Sequence, residues 1–197
     1  MLDATQPVPS TDSLETLVSQ EVERQLGAIK QELADLRERT PDNRLTMVVF
    51  SGDLDKVMAS LIIGTGAVGM GLDVSMFFTF WGLSALKKQS AKRHQRDFYQ
   101  RMFAAMTPDG TQGMGVSKLN FGGVGATMLR KMMKNQEITS VEELMELARE
   151  SGVRMIACTL SMDVLGLTSE DLVDGLELGG VGAYLGDAAK SRVTLFI

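Results

Sequence analysis

The chain of 197 residues has one cysteine, Cys158, and one histidine, His94. A lone cysteine excludes an internal disulfide framework, and the two residues cannot build a Cys/His zinc site, so no metal centre is expected. Serine or cysteine catalysis with a histidine base would have to use His94 alone, which makes both readings poor. Basic charge is also short: 20 Lys and Arg face 25 Asp and Glu, for a net charge of −5, so the chain as a whole is no nucleic-acid binder. A hydrophobic share of 44% excludes a disordered chain and supplies a core. Long apolar runs are missing too. Val57–Leu72 is uncharged for 16 residues before Asp73, and Gly64, Gly66, Gly69 and Gly71 interrupt it. A spanning helix needs roughly 20 apolar residues, so the nearly uncharged stretch Val57–Leu83 reads as a buried helix, a short turn at Gly71-Leu72-Asp73 and a buried strand, and no membrane contact is expected. Residues 1–15 are acidic and lack the apolar segment of a signal peptide. A cytoplasmic location is expected, where a single thiol stays reduced.

What charge there is lies unevenly. Residues 1–40 carry 4 basic and 8 acidic groups, and residues 137–197 carry 4 and 11. Between them, Lys87, Lys88, Lys92, Arg93, Arg96 and Arg101 face only Asp97. This stretch reads either as a site for an anionic partner or ligand, or as a solvated helix face.

Residues 1–10 read as a disordered start. Asp12 and Glu15 have capping-box spacing, and a helix follows with apolar residues at Leu14, Leu17, Val18, Val22, Leu26, Ile29, Leu33 and Leu36. From Val22 to Leu36 the gaps are 4, 3, 4 and 3, a heptad seam of two heptads. That pattern suits a short coiled coil or a helix docked on a core. Thr40-Pro41-Asp42-Asn43 closes this appendage, and the main domain is expected over 41–197.

From Leu45 the periodicity changes. Leu45–Phe50 is a buried strand, Ser51-Gly52-Asp53 a turn and helix cap, Leu54–Met70 a helix, and Val74–Phe80 a second strand. Helical sequence is expected over about Leu83–Met106, a long loop over Thr107–Gly125, and helices at Ala126–Lys134 and from Ser140 to Glu150. Ser140 and Glu143 form a capping box, and Gly152 ends the second helix. Val153–Ala157 is a strand running into Cys158. Short helices follow at Ser161–Leu165 and Ser169–Asp174, then a glycine-rich segment to Gly186 that is part strand and part helix, and a last strand at Val193–Ile197. Alternating strands and helices predict a three-layer α/β/α fold with a parallel sheet of about five strands, plus the N-terminal helical appendage. Ligands collect at the carboxyl ends of such strands. Ser51, Trp81 and Cys158 each follow a strand, so all three should share one rim.

Gly64-x-Gly66-x-x-Gly69 matches a dinucleotide-binding pattern, but the glycines fall inside a helix and not between a strand and a helix N-terminus. They read as small packing residues, and no cofactor is expected. Cys158 stands at a strand end with helical sequence after it, where unpaired amides favour a thiolate and Thr159 and Ser161 can add hydroxyl donors. Asp163 opposes this if it is close. The alternative is a buried, inert cysteine. If reactive, Cys158 has no partner thiol in its own chain, which leaves one-thiol work: holding a persulfide, forming a mixed disulfide, or attacking an electrophile. Met102, Met106, Met114, Met128, Met132 and Met133 are either ordinary core or an adaptable docking face.

The chain resembles the DsrE/DsrF-like sulfur-relay family, in particular its DsrE-like branch, often labelled "peroxiredoxin-like". The resemblance runs from Leu45 to Ile197. It is carried by Phe50–Lys56, Met76–Gly82, Leu119–Gly123, Val141–Leu144 and, most strongly, by Ala157–Gly166 and Gly179–Leu185. It implies a homo-oligomer and a cysteine that accepts sulfane sulfur as a persulfide. It implies as partners a small sulfur carrier of the TusA type or a rhodanese-like donor. The family cysteine falls on Cys158, and Phe80-Trp81-Gly82 falls on the neighbouring strand end that shapes the pocket. Some relatives carry a second cysteine that this chain lacks. The expectation is therefore a cytoplasmic sulfur carrier or sulfurtransferase, with Cys158 catalytic and Ser51, Phe80, Trp81, Gly82, Thr159 and Ser161 forming the pocket and anion site. The rival is an oligomeric protein-interaction module with a structural cysteine and no sulfur chemistry.

Overall fold

The structure is a computed structural model that describes residues 11–88, 108 and 110–197. The start at 1–10, His94, the basic residues Lys92–Arg101, the helix expected up to Met106, and Met102 all lie outside the described residues. The chain divides into two units, 1–41 and 42–197.

In the first unit, helix α1 spans Thr11–Arg39. Arg24 pairs with Glu21 one turn before it, a solvent-facing contact that supports the helix locally.

The second unit is a five-stranded, all-parallel sheet in the order β4-β3-β2-β1-β5. Strand β1 (Asp42–Val49) is an interior strand between β2 and the edge strand β5, and its buried Leu45–Val49 run is the expected signature of a strand covered on both faces. Helix α2 (Leu54–Gly69) leads to β2 (Asp73–Phe78). The glycines of the dinucleotide-like pattern lie inside α2, as the sequence suggests; Gly64 packs near Met76 and Val74. Strand β2 ends two residues earlier than expected. Thr79 is still extended, but Phe80 takes φ 46°, which breaks the strand and starts a 3₁₀ turn over Phe80–Leu86. The described part of the 107–125 segment is not featureless: it contains 3₁₀ turns at Thr111–Gly113 and Phe121–Gly123.

Helices α3 (Val124–Asn135) and α4 (Val141–Glu150) follow. The Ser140–Glu143 capping box forms in both directions, and Gly152 (φ 82°) supplies the left-handed turn after α4. Strand β3 (Arg154–Cys158) passes directly into α5 (Thr159–Leu165), then a 3₁₀ turn at Ser169–Asp171, β4 (Glu177–Gly179), α6 (Val181–Ala188) and β5 (Ser191–Phe196).

The two sheet faces are covered differently. Met47, Val49, Met76, Phe78, Met155 and Ala157 point into the large core with α2, α4 and the Met162 and Leu165 side of α5. Phe77, Ile156 and Cys158 form a small cluster on the opposite face, against Tyr184 of α6. This asymmetry follows from chain direction. The steps β1→β2→β3→β4 all move one way across the sheet, so right-handed crossovers put their helices on one face. The step β4→β5 runs back across the whole sheet and sends α6 over the other face. Asp187 anchors that crossing: its carboxylate accepts from Arg44 of β1, Ser75 of β2 and Arg154 of β3, each at 2.8 Å.

Candidate functional site

Because β1, β2 and β3 are parallel, their carboxyl ends share one rim, as expected from Ser51, Trp81 and Cys158. The rim has a special point. The helix after β3 returns to the large-core face, whereas the helix after β4 goes to the other. Adjacent strands whose connections diverge open a crevice at their carboxyl ends. Cys158, the last residue of β3, pairs in register with Gly179, the last residue of β4. The one thiol of the chain therefore stands at the topological switch point.

Cys158 is 5% exposed, packed among Phe77, Ile156 and Tyr184. Its surroundings are nonetheless not purely apolar. Burial pushes the thiol up, but hydrogen bonds from the Ser161 hydroxyl and amide, the Thr79 hydroxyl and the Leu160 amide outweigh it and hold the thiol below its ordinary range. The Thr79 and Ser161 hydroxyls are also 2.8 Å apart, and both residues are buried. Two hydroxyl protons must serve the sulfur and the bond between the hydroxyls. One hydroxyl donates to the other while the second donates to Sγ, and the roles can exchange by rotation. With Asp163 in the same helix, the net displacement of the thiol is still downward.

Of the expected site residues, Ser161 is brought to the sulfur. Thr159 opens α5 but is exposed, and the donors at the sulfur come from its neighbours. Ser51 and Trp81 sit on the same rim but line a separate polar cavity of about 310 Å³ with Asp53, Ser84, Asn120 and Pro108. Cys158 does not line it. There Asp53 stands at the N-cap of α2, but its carboxylate accepts from Ser51 Oγ at 2.7 Å and pairs with Lys56, leaving the helix amides to other partners. Phe80 is partly exposed and its ring contacts Phe50, which stacks on Phe196 in turn. Gly82 is buried where the exits of β1 and β2 touch: its N–H donates to Phe50 O at 2.8 Å. Lys87 is buried and donates to Pro108 O, and Lys88 pairs with Asp174.

Thr79 is the functional residue that sequence reasoning misses. The signal was available: a hydroxyl directly before the break in β2, one strand away from Cys158. Assigning β2 as far as Phe80 hides it inside the strand.

Among the described residues no cluster of His, Cys, Asp and Glu could hold a metal, and no helix is long and apolar enough to cross a membrane.

Residues 41–196 match the model of the DsrE/DsrF/DrsH-like family. The chain is 44% identical over 154 residues to the uncharacterized protein YrkE of Bacillus subtilis, covering 78% of this chain and 96% of that one. It is 29% identical over 167 residues to the sulfur carrier protein DsrE2 of Allochromatium vinosum, covering 78% and 98%. Among solved structures it is similar to the YchN protein of E. coli, with a TM-score of 0.48 and 14% identity over 78% of this chain and 98% of that one.

Proposed function

Because this chain belongs to the DsrE/DsrF/DrsH-like family, we propose that it works in a sulfur relay, with Cys158 holding sulfane sulfur as a persulfide. The observation that carries the reading is the hydrogen-bonded, depressed thiol at the switch point of the sheet. The similarity to a protein named as a sulfur carrier supports it.

The chemistry needs one thiol and no net oxidation. The Cys158 thiolate attacks the outer sulfur of a donor persulfide, the new S–S bond forms, and the donor's S–S bond breaks with its electron pair leaving on the donor thiolate. Transfer onward is the reverse step: an acceptor thiolate takes the outer sulfur and Cys158 leaves as a thiolate. Thr79, Ser161 and the two amides stabilise Cys158 as attacking group and as leaving group, because both states are anionic. Phe77, Ile156 and Tyr184 restrict water around the sulfur. With Cys158 only 5% exposed, the rim must open for a donor to reach it. The exposed apolar side chains of Leu160, Phe80 and Trp81 are the groups an arriving carrier of the TusA type or a rhodanese-like donor would meet first. Self-association into a homo-oligomer and a cytoplasmic setting belong to the same reading.

The test is intact mass after incubation with a low-molecular-weight persulfide donor. The protein should gain sulfur in 32 Da steps that a reductant removes, and Cys158→Ala should gain none. The burial of Cys158 favours the rival reading, an interaction module with a packing cysteine. Absence of an adduct on the wild-type chain, or an adduct that survives Cys158→Ala, decides for the rival.

A further inference from the structure

We propose that α1 is a self-association element: its Val22–Leu36 seam closes against the same seam of other copies in a parallel coiled coil of more than two strands. The seam residues Val22, Leu26, Ile29, Leu33 and Leu36 are each about half exposed, between 48% and 55%. A helix that leaves a continuous apolar stripe in water is stabilised chiefly by burying it.

Orientation is fixed by charge and register. The 4-3-4-3 spacing places Leu26 and Leu33 at a, and Val22, Ile29 and Leu36 at d. The flanking g and e positions are then Gln25 and Glu32, and Glu23, Lys30 and Arg37. In a parallel pair, each g residue meets the e residue five positions on in its neighbour. This sets Glu32 against Arg37, an opposite-charge pair, and Gln25 against Lys30, a neutral one, with no like charges opposed. Antiparallel packing is worse in either register. Keeping Leu26 on Leu36 and Ile29 on Leu33 sets Glu23 against Arg37 but puts Lys30 opposite Lys30 and Glu32 opposite Glu32, so attraction and repulsion offset. Shifting by one heptad removes that conflict and sets Glu23 against Lys30, but it sets Leu36 against Ser19, so the apolar seam loses its last layer at each end.

Strand number follows from side-chain shape. The β-branched residues Val22 and Ile29 sit at d with leucine at a, the reverse of the dimer pattern, and this arrangement favours three or four strands. Gly27 falls at an outward b position with nothing near the place its Cβ would take. It weakens the helix without touching the seam.

The test uses the full chain in a Cys158→Ala background. A Leu36→Cys variant places a thiol at d, and a Gln31→Cys variant places one at the outward f position. Under mild copper-catalysed air oxidation, Leu36→Cys should crosslink between chains at least tenfold faster than Gln31→Cys. Adding Arg37→Glu to Leu36→Cys sets like charges opposite each other and should slow crosslinking several-fold. The swap Glu32→Arg with Arg37→Glu should restore it. Sedimentation of the wild-type chain should show more than two copies. Equal crosslinking at 31 and 36, indifference to Arg37→Glu, or failure of the swap to restore it overturns the parallel seam. A wild-type monomer or dimer overturns the strand number.

Discussion

Gly82→Ala should unfold this domain at markedly lower denaturant and temperature, through one contact. A Cβ at position 82 would lie 2.8 Å from the carbonyl carbon of Val49, and nearer still to its oxygen. Both are backbone atoms of the interior strand β1, so no side-chain rotation relieves the clash. The β1 exit and the 3₁₀ turn must separate. That movement breaks two hydrogen bonds that join them, Gly82 N to Phe50 O at 2.8 Å and Thr79 N to Val49 O at 3.1 Å. Each is worth about 1 kcal/mol, and the crowding itself costs about 1–3 kcal/mol, so the loss should be about 3–5 kcal/mol. For a domain of this size that is a fall in Tm of roughly 6–20 °C. Gly66→Ala is the matched control. It lies inside α2 with nothing within 4 Å of the new Cβ and should stabilise by roughly 0.5–1 kcal/mol. Both are read by urea unfolding. A Gly82→Ala protein within about 1 kcal/mol of wild type would refute the tight crossing of the two strand exits.

Ser161→Ala removes a hydroxyl donor from Cys158 and leaves the amides of Leu160 and Ser161 in place. The thiol should titrate at higher pH, read from the pH dependence of iodoacetamide alkylation; a midpoint unchanged or lowered contradicts the assignment. The sign for stability follows. Folding lowers this thiol's pKa, so its contribution is complete above the unfolded-chain value and disappears as pH falls through the folded one. Ser161→Ala should narrow that window. Asp187→Ala leaves Arg44 and Arg154 without their shared carboxylate beneath α6. It should cost about 2 kcal/mol, a discount on a fully buried pair because Arg154 is partly exposed. Arg154→Ala should cost less, and the opposite order in urea unfolding would contradict the anchoring role of Asp187.

Much of the fold is legible in the sequence because its strands and helices are locally consistent. The Leu45–Val49 run and the Ser140–Glu143 box state their structure within a few residues. The placement of Cys158 at a strand end is legible for the same reason. The rest depends on long-range geometry. Periodicity cannot show that β5 returns beside β1, and that return alone sends α6 across the second face and places the switch point at Cys158. Nor does spacing show that Ser51 and Trp81 line a cavity that does not include the thiol. The positive φ at Phe80 ends β2 and carries Trp81 into the 3₁₀ turn, at a residue type that rarely adopts one. Thr79 is still extended before that break, two residues after Phe77, so strand alternation puts it on the face of Cys158.

The placement of β5 beside β1 has a consequence for biosynthesis. One flank of β1, Asp42–Val49, finds its partner only when Ser191–Phe196 has been made. About 140 residues separate them, or roughly 7–30 s at ribosomal speeds. During that interval the nascent chain displays a row of unsatisfied amides and carbonyls on an apolar strand, the kind of surface that templates pairing between neighbouring chains on one message. The closing strand is thus a latch that arrives last, and yield in the cell should depend on what shields that flank until it does.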